Sequence, residues 1–96
     1  MDDLILIHPN DNVGNAITDI AKGMDVGYSA PEGRVIIKAV SDIPFGFKMA
    51  VTKISKGDPV IKYGEVIGEA SKTIEAGELA HIHNVDGKRS RGDLNG

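Results

Sequence analysis

Short apolar runs separated by turn residues make up most of the chain. Runs that are rich in Ile, Val and Leu, or that alternate apolar and polar positions, are typical of β-strands. Glycine, proline and small polar residues lie between the runs and indicate turns, as at residues 30–33. The pattern predicts strands over residues 4–7, 25–29, 34–40, 47–54, 60–70 (two strands around a central turn) and 78–85.

One segment near the N-terminus follows a helical period instead. Its apolar residues recur at the spacing of one helix face, and they are Val13, Ala16, Ile17, Ile20 and Ala21. Residues 10–12 offer N-cap oxygens, and Gly23 is placed to end the helix. We therefore predict a short α-helix over about residues 12–22, in a fold that is otherwise mainly β.

A short motif recurs along the chain. Ile54 is followed by Gly57 and then an acidic residue, and the same arrangement begins again at Ile74. Ile20 and Gly23 repeat its first part. An apolar anchor followed by a conformationally permissive glycine is typical of a tight corner. The repeat therefore predicts a compact β-fold with approximate internal symmetry.

The composition favours one small domain with an aliphatic core. The chain has 96 residues, 41% of them hydrophobic, but only 4% are aromatic, so aliphatic side chains must fill the interior. We expect residues 4–7 and 34–40 to be buried, and we expect Leu6→Asp or Ile36→Asp to unfold the protein. Residues 1–85 are assigned to this domain, and residues 86–96 are assigned to a flexible basic tail.

Charge and cysteine content exclude several classes of function. The net charge of −3 disfavours nucleic acid and anionic membranes as partners. The absence of cysteine excludes disulfides, thiolate nucleophiles and Cys-ligated metal sites. The sequence shows neither a signal peptide nor an apolar stretch long enough to cross a bilayer, so we expect a cytoplasmic protein.

The sequence HIHN contains two of the three histidines. In the predicted strand over residues 78–85, residues two apart share a face, so His81 and His83 would project together. Such a pair can ligate one metal ion, or one ring can ligate while the other transfers protons. The alternative is that the pair forms the exposed polar face of an edge strand.

Five other polar residues are candidates for substrate binding or catalysis. Lys48 and Lys62 can hold an anionic substrate by fixed positive charge, or they can be solvated strand lysines. Asn10, Asp11 and Asn12 can orient substrate hydroxyl groups, or they can cap the predicted helix. A nucleophile–base pair of the Ser/His/Asp kind is not apparent, which argues against a self-sufficient small enzyme.

Four segments, taken in order, carry a resemblance that covers nearly the whole chain. They are HPNDNV, IPFGFKMAV, GDPVIKYGEVIGEA and GELAHIHNVDGKRSRGDL. Together they resemble the SAF (antifreeze-like, β-clip) domain found at the N-terminus of altronate and galactarate dehydratases. The same family includes a free-standing small subunit of (2R)-sulfolactate sulfo-lyase. The resemblance implies a compact β-clip as the fold.

The resemblance also implies that the chain is a subunit of a lyase. Such an enzyme eliminates water or sulfite from a small anionic hydroxy acid. Removing a proton beside a carboxylate needs a base, a cation at the carboxylate and an acid at the leaving group. We expect His81, His83 and Lys48 to be catalytic, and residues 10–12 with Lys62 to bind substrate. The resemblance implies a divalent metal, iron or another cation, held mainly by a large catalytic subunit, with His81 and His83 as candidate ligands.

One residue departs from the family pattern, and one alternative function remains. The family commonly has histidine in the sequence FGHK, where this chain has Phe47. Either Phe47 lines an apolar part of the site or the substrate differs. The alternative function is a non-catalytic SAF module that binds carbohydrate or a flat surface. That function would use a flat, apolar exposed patch, and none is obvious in the sequence.

Overall fold

The computed structural model describes residues 1–87, and this part of the chain is built of short β-strands without a helix. Turns and isolated bridges connect the strands. The strands are β1 (Leu4–Ile5), β2 (Val13–Ala16), β3 (Asp25–Ala30), β4 (Gly33–Lys38), β5 (Lys48–Ala50), β6 (Pro59–Lys62), β7 (Glu65–Ala70), β8 (Leu79–Ala80) and β9 (Val85–Gly87). The prediction of a mainly β fold is confirmed, whereas the predicted helix is not present.

The strands form three antiparallel sheets. The central sheet has the order β1-β2-β5-β8, the hairpin β3-β4 stands by itself, and the third sheet has the order β6-β7-β9. The hairpin β6–β7 turns at Tyr63 and Gly64, whose φ angles are 56° and 75°. Two successive positive φ angles are the geometry of a type I′ turn, which matches the twist of the flanking strands. The two strands predicted around this turn are therefore confirmed.

The helix predicted over residues 12–22 is wrong. Residues 13–16 form β2, which pairs with β1 on one side and with β5 on the other. Gly14 lies so close to the side chains of Leu4 and Leu6 that a Cβ atom would be 2.6 Å from Leu6 Cδ1. The apparent helical spacing arises because Val13 and Ala16, three residues apart, are buried in two different cores.

A motif of the form Ala-x-x-x-Ile-x-x-Gly occurs four times and organises these strands. In every copy the alanine and isoleucine are at most 3% exposed, and the glycine has a φ angle between 87° and 91°. The backbone turns at each glycine, with a hydrogen bond across the turn. The copies span residues 16–23, 39–46, 50–57 and 70–77. Three of these corners were partly visible in the sequence, and the structure adds the copy at residues 39–46.

The four corners pair two by two with reciprocal hydrogen bonds. Ile54 and Ile74 each donate a backbone N–H to the other's carbonyl oxygen at 2.8 Å. The glycine N–H of each corner also donates to the alanine carbonyl of its mate, and all four of these bonds are 2.8 Å long. Ile20 and Ile43 form the same bridge in the other pair. The predicted internal symmetry is therefore that of two locally twofold pairs of corners.

Each pair of corners has its own small aliphatic core. The first core includes Ile20 and Ile43 together with Leu4, Val26 and Met49. The second core contains the other pair of corners and is formed by Val13, Ala50, Ile54, Val60, Ala70, Ile74 and Ala80. The central sheet contributes to both cores, so β2 and β5 bury residues on both of their faces.

Two predictions about burial need correction. Residues 4–7 are not a buried run, because Ile5 is 41% exposed and Ile7 is 62% exposed beside the fully buried Leu4. In β4, the side chain of Ile36 is 57% exposed, while its neighbours on the other face pack against the first core. The expectation that Ile36→Asp unfolds the protein therefore rests on a wrong assignment. Leu6 does pack against the first core.

The C-terminal boundary of the described fold is β9, which pairs with β7 and ends at Gly87. The remainder of the predicted basic tail, residues 88–96, lies outside the described residues. No helix in residues 1–87 has the length and apolar character needed to cross a membrane.

Candidate functional site

The HIHN sequence forms a turn, so the strand predicted through His81 and His83 is wrong. β8 ends at Ala80, and the chain reverses before β9 begins at Val85. The backbone N–H groups of Asn84 and Val85 both donate to the carbonyl of His81, at 3.0 and 2.9 Å. The alternation on which the shared face of the two imidazoles was predicted is therefore absent.

Asn84, which the sequence reasoning did not single out, holds this turn in place. Its side chain is fully buried. Its Oδ1 accepts a hydrogen bond from the His81 N–H at 2.9 Å, and its Nδ2 donates to the Leu79 carbonyl at 2.8 Å and to Glu78 Oε2 at 3.4 Å. A buried amide with partners on both of its polar atoms fixes a turn strongly. The sequence signal was an asparagine closing a short polar stretch, as is common in turns.

The two histidines occupy different environments. The His81 ring is half-buried and packs against the ring of Phe47, with centroids 4.9 Å apart and planes tilted by 49°. His83 is exposed, and Ile82 between them is 84% exposed. The turn thus presents an apolar tip flanked by one anchored and one free imidazole.

The described residues do not form a complete metal site. Across residues 1–87, no three His, Asp or Glu side chains lie close enough together to hold a metal ion. His81 and His83 amount to two ligands at most, and a protein-bound transition metal usually takes at least three protein ligands. Any metal bound through this turn would need further ligands from outside residues 1–87.

The side chains of Asp11 and Asn12 make hydrogen bonds to the backbone within the fold. Asp11 is 7% exposed and accepts hydrogen bonds from the backbone N–H groups of Ile7 at 3.3 Å, His8 at 3.0 Å and Gly64 at 2.8 Å. Burial alone would raise the pKa of the Asp11 carboxyl, but these backbone donors outweigh it and hold the pKa below its ordinary value of 3.8. Asp11 therefore ties the loop after β1 to the β6–β7 turn.

Asn12 pairs with the backbone of β6 on both sides of its amide. Its Nδ2 donates to the Pro59 carbonyl at 2.9 Å, and its Oδ1 accepts from the Ile61 N–H at 2.7 Å. Neither side chain caps a helix, because the chain passes from a turn at residues 8–10 directly into β2. Asn10 is exposed, and its backbone N–H donates to His8 Nδ1 at 3.0 Å. Of these three residues, only Asn10 leaves its side chain free in the described structure to meet a ligand.

The two predicted lysines come together on the same side of the molecule. Lys48 begins β5, Lys62 ends β6, and the positive charge of Lys62 acts on Lys48. Burial lowers the pKa of the Lys48 ammonium, and the neighbouring charge of Lys62 lowers it further. Lys62 Nζ lies 4.7 Å from the centre of the Tyr63 ring. Within residues 1–87, neither lysine forms an ion pair.

A cleft of about 250 Å³ opens beside Lys62. We call it the β2–β6 cleft. Its walls are formed by β1, the loop that follows it, β2 and the β6–β7 turn. The lining residues are Ile5, Ile7, Asp11, Val13, Gly14, Asn15, Ile17, Lys62 and Tyr63.

Asn15 is the second functional candidate that sequence reasoning missed. It lies on β2 directly opposite Lys48 on β5. Its Nδ2 is 3.4 Å from the Tyr63 hydroxyl oxygen, whereas its Oδ1 is buried without a hydrogen-bond partner. It is the single buried side-chain polar atom without a partner in residues 1–87. The available signal was a polar residue within a short run that otherwise buries its side chains.

A larger cavity, of about 520 Å³, lies between the β3–β4 hairpin and the loop after β1. It is lined in part by His8, Tyr28 and Glu32. Burial raises the pKa of the Tyr28 phenol, and the negative charge of Glu32 raises it further. The third histidine therefore lines this larger cavity, which contains neither His81 nor His83 in its lining.

Comparison with known proteins decides the family. The family model of the altronate/galactarate dehydratase SAF domain matches residues 2–88. The chain belongs to this SAF-domain family. The match covers every described strand.

The chain is similar to one part of some large family members and to nearly the whole of a small one. The chain is 40% identical over 85 residues to altronate dehydratase of Bacillus subtilis and 44% identical over 81 residues to that of Escherichia coli. It spans only 16% of the length of each of these enzymes. It is also 32% identical to the (2R)-sulfolactate sulfo-lyase subunit alpha of Chromohalobacter salexigens, over 91% of this chain and 96% of that protein.

Proposed function

We propose that the chain is the SAF component of a carbon–oxygen or carbon–sulfur lyase that acts on a small hydroxy acid. The observation that carries this proposal is its similarity to a sulfo-lyase subunit over 96% of that subunit's length. The same residues also match one sixth of the altronate dehydratases. In both kinds of relative, further polypeptide accompanies the SAF fold. The proposed active site is therefore shared with a large catalytic chain.

The chemistry explains why a shared site is needed. Elimination begins with loss of a proton beside a carboxylate, which adds negative charge to a group that is already anionic. Positive charges held in a water-excluding pocket stabilise that developing charge far better than solvated charges do. The β2–β6 cleft is small and open to solvent on this chain. A second polypeptide covering it would exclude water and provide the remaining groups.

In this proposal the lysines stabilise charge and the histidines transfer protons. Lys48 and Lys62 face the carboxylate of the substrate. His81 and His83 act at the exposed turn, where a covering chain can bring the leaving group or the acidic proton to them. A divalent metal, iron or another cation, is held mainly by ligands of the large chain, because residues 1–87 do not provide three ligands in one place.

The experiment is reconstitution. The chain is isolated from its native cell to recover the large partner, and elimination from altronate and from sulfolactate is measured with each chain alone and with both. We expect negligible turnover by either chain alone and clear turnover by the mixture. Robust activity of the isolated chain, or its purification without any partner, would contradict the proposal.

Substitutions then separate catalysis from simple assembly. His81→Gln and His83→Gln remove proton transfer but retain a polar side chain, so we expect kcat to fall at least tenfold while the complex still forms. The matched control is Lys53→Met, an exposed lysine on a turn away from the cleft. If both histidine variants change affinity but leave kcat unchanged, the chain is a binding module and not part of the catalytic site.

A further inference from the structure

We infer that the β2–β6 cleft binds the carboxylate and an adjacent hydroxyl group of a hydroxy acid, with Lys62 and Lys48 at the carboxylate and Asn15 Oδ1 accepting from the hydroxyl. The substrate class rests on the proposed function. The placement of the ligand rests on the geometry of the cleft. Asn15 and Tyr63 thereby become binding residues that neither the family match nor the sequence motifs assign.

The unpartnered amide oxygen of Asn15 is the first support. A buried polar atom without a hydrogen bond costs free energy, and folded proteins rarely keep one without a reason. An oxygen acceptor requires a donor, which excludes a bare carboxylate as its partner and favours a hydroxyl group. Because Asn15 lines the cleft, a ligand seated there can provide that donor.

The second support is positive charge placed next to that acceptor. Lys48 is the cross-strand neighbour of Asn15, and Lys62 lines the same cleft. Bringing two ammonium groups together is unfavourable unless an anion joins them. Neither lysine has an acidic partner within residues 1–87. A carboxylate bound in the cleft would relieve the repulsion between the two ammonium groups and give each of them an anionic partner.

Asp11 also lines the cleft, but it does not oppose an anion strongly. Its Oδ1 accepts from the Gly64 N–H, and its Oδ2 accepts from the N–H groups of Ile7 and His8. The carboxylate is therefore turned towards backbone donors, which disperse its charge. Among the described residues that line the cleft, Lys62 alone is basic, and Lys48 lies opposite Asn15 on β5.

A bound ligand would also explain why three isoleucine side chains are exposed in the cleft wall. Ile5, Ile7 and Ile17 line the cleft and are 41%, 62% and 39% exposed. Aliphatic side chains beside a charged end suit a ligand that has a carbon chain as well as a carboxylate. The volume of about 250 Å³ lies below the 300–1,000 Å³ that is usual for drug-sized ligands, which favours a small acid.

The test is NMR titration of the full ¹⁵N-labelled chain with three probes: altronate, its neutral polyol altritol, and acetate. We expect altronate to shift the Asn15 side-chain amide and the backbone amides of residues 14, 15, 62 and 63 saturably. Altritol has hydroxyl groups but no carboxylate, and acetate has a carboxylate but no hydroxyl group. Each should therefore bind at least tenfold more weakly than altronate. Saturable shifts that map to the larger cavity instead, or no saturable shifts in the cleft, would overturn the inference.

Three variants sharpen the result. Lys62→Met retains the aliphatic stem and removes the charge, and we expect it to weaken altronate binding about tenfold, as does Asn15→Leu, which removes the buried acceptor. The control Lys53→Met should bind as the wild type does. Asn15→Leu should fold at least as stably as the wild type, so loss of binding cannot be ascribed to unfolding. Unchanged affinity in both cleft variants would overturn the inference.

This titration and the reconstitution assay fail independently. If the cleft does not bind altronate but the two-chain mixture is active, the inference is wrong and the proposed function stands. If the cleft binds altronate but the mixture catalyses no elimination, the binding site stands and the lyase proposal is wrong.

Discussion

The side-chain Oδ1 of Asn84 accepts a hydrogen bond from the backbone N–H of His81 at 2.9 Å. Because Asn84 is fully buried, this bond joins the exposed turn that carries the two histidines to the interior of the domain. The amide also reaches the Leu79 carbonyl. One side chain therefore spans the reversal between β8 and β9, and the position of the imidazoles depends on it.

Asn84→Ala should destabilise the domain by about 2–3 kcal/mol, because it leaves buried backbone groups without partners. For a domain of this size, each 1 kcal/mol corresponds to roughly 4–8 °C in the melting temperature. Thermal unfolding followed by circular dichroism measures the change. His83→Ala, at an exposed position of the same turn, is the control and should stay within about 0.5 kcal/mol of the wild type. Equal stability of the two variants would mean that Asn84 does not anchor the turn.

The repeated corners allow a comparison of two glycines with the same backbone conformation. Gly57 and Gly77 have φ angles of 91° and 89°. A Cβ atom at Gly57 would meet nothing within 4 Å, whereas one at Gly77 would overlap the Lys38 carbonyl oxygen. Gly57→Ala should therefore cost about 1–2 kcal/mol from the left-handed backbone alone. Gly77→Ala should cost roughly 3 kcal/mol or more, since the backbone must also move.

Urea denaturation of the two glycine variants measures this difference. The comparison is internally controlled because both residues occupy the last position of the same motif. If the two alanine variants lost equal stability, the packing of the corner at residues 70–77 against the end of β4 would be wrong.

Stability should depend on pH through Asp11. The folded-state pKa of this carboxyl lies below the ordinary value of 3.8, so the ionised form favours the folded state. The contribution is fully present above the unfolded-state pKa and is lost as pH falls through the folded-state pKa. Asp11→Asn should therefore destabilise the protein by about 1–3 kcal/mol at pH 7, with a difference that shrinks as the solution is acidified below about pH 4.

Denaturation of wild type and Asp11→Asn in parallel at pH 7, 5, 4 and 3 checks the sign. Asp58→Asn, at an exposed turn position, is the matched control. A difference between wild type and Asp11→Asn that grew on acidification would show that the backbone donors do not stabilise the charged form.

Lys48, unlike Asp11, should destabilise the folded state in its charged form while contributing to ligand binding. Its folded-state pKa lies below the ordinary 10.5, so the charged form disfavours the folded state at neutral pH, and this cost is relieved only as pH rises through the folded-state pKa. Lys48→Met should therefore raise the melting temperature at pH 7 while weakening altronate binding about tenfold. Melting curves and the NMR titration together test both effects. A variant that melted lower and bound normally would contradict both parts.

The hairpin turn at residues 63–64 and three of the four corners were predictable because their chemistry is local, whereas the turn at residues 81–84 was not. Tyr63-Gly64 forms a hairpin because a residue with positive φ next to glycine suits that turn, and the Ile-x-x-Gly corners need glycine for the same backbone reason. The prediction of a helix over residues 12–22 was wrong for a reason specific to this fold. Ala16 and Ile20 are four residues apart because they are the first and fifth positions of a corner, and that spacing coincides with one helical turn.

The candidate site was predictable only in part. Lys48 and Lys62 were each candidates, but only the three-dimensional structure shows that the charge of Lys62 acts on Lys48. Asn15 became visible through an acceptor atom that lacks a partner, which no sequence pattern reports. The pairing of His81 with His83 assumed a strand, whereas the buried amide of Asn84 stabilises a turn that separates their environments.

The most direct test of the central claim is the rate of elimination by the two-chain mixture, measured with wild type and with Lys62→Met. We predict that the large chain is inactive alone, that adding the wild-type chain restores turnover, and that Lys62→Met restores at most about one tenth of kcat/KM. A large chain that is fully active alone, or a Lys62→Met variant that restores the wild-type rate, would contradict a site shared between the two chains.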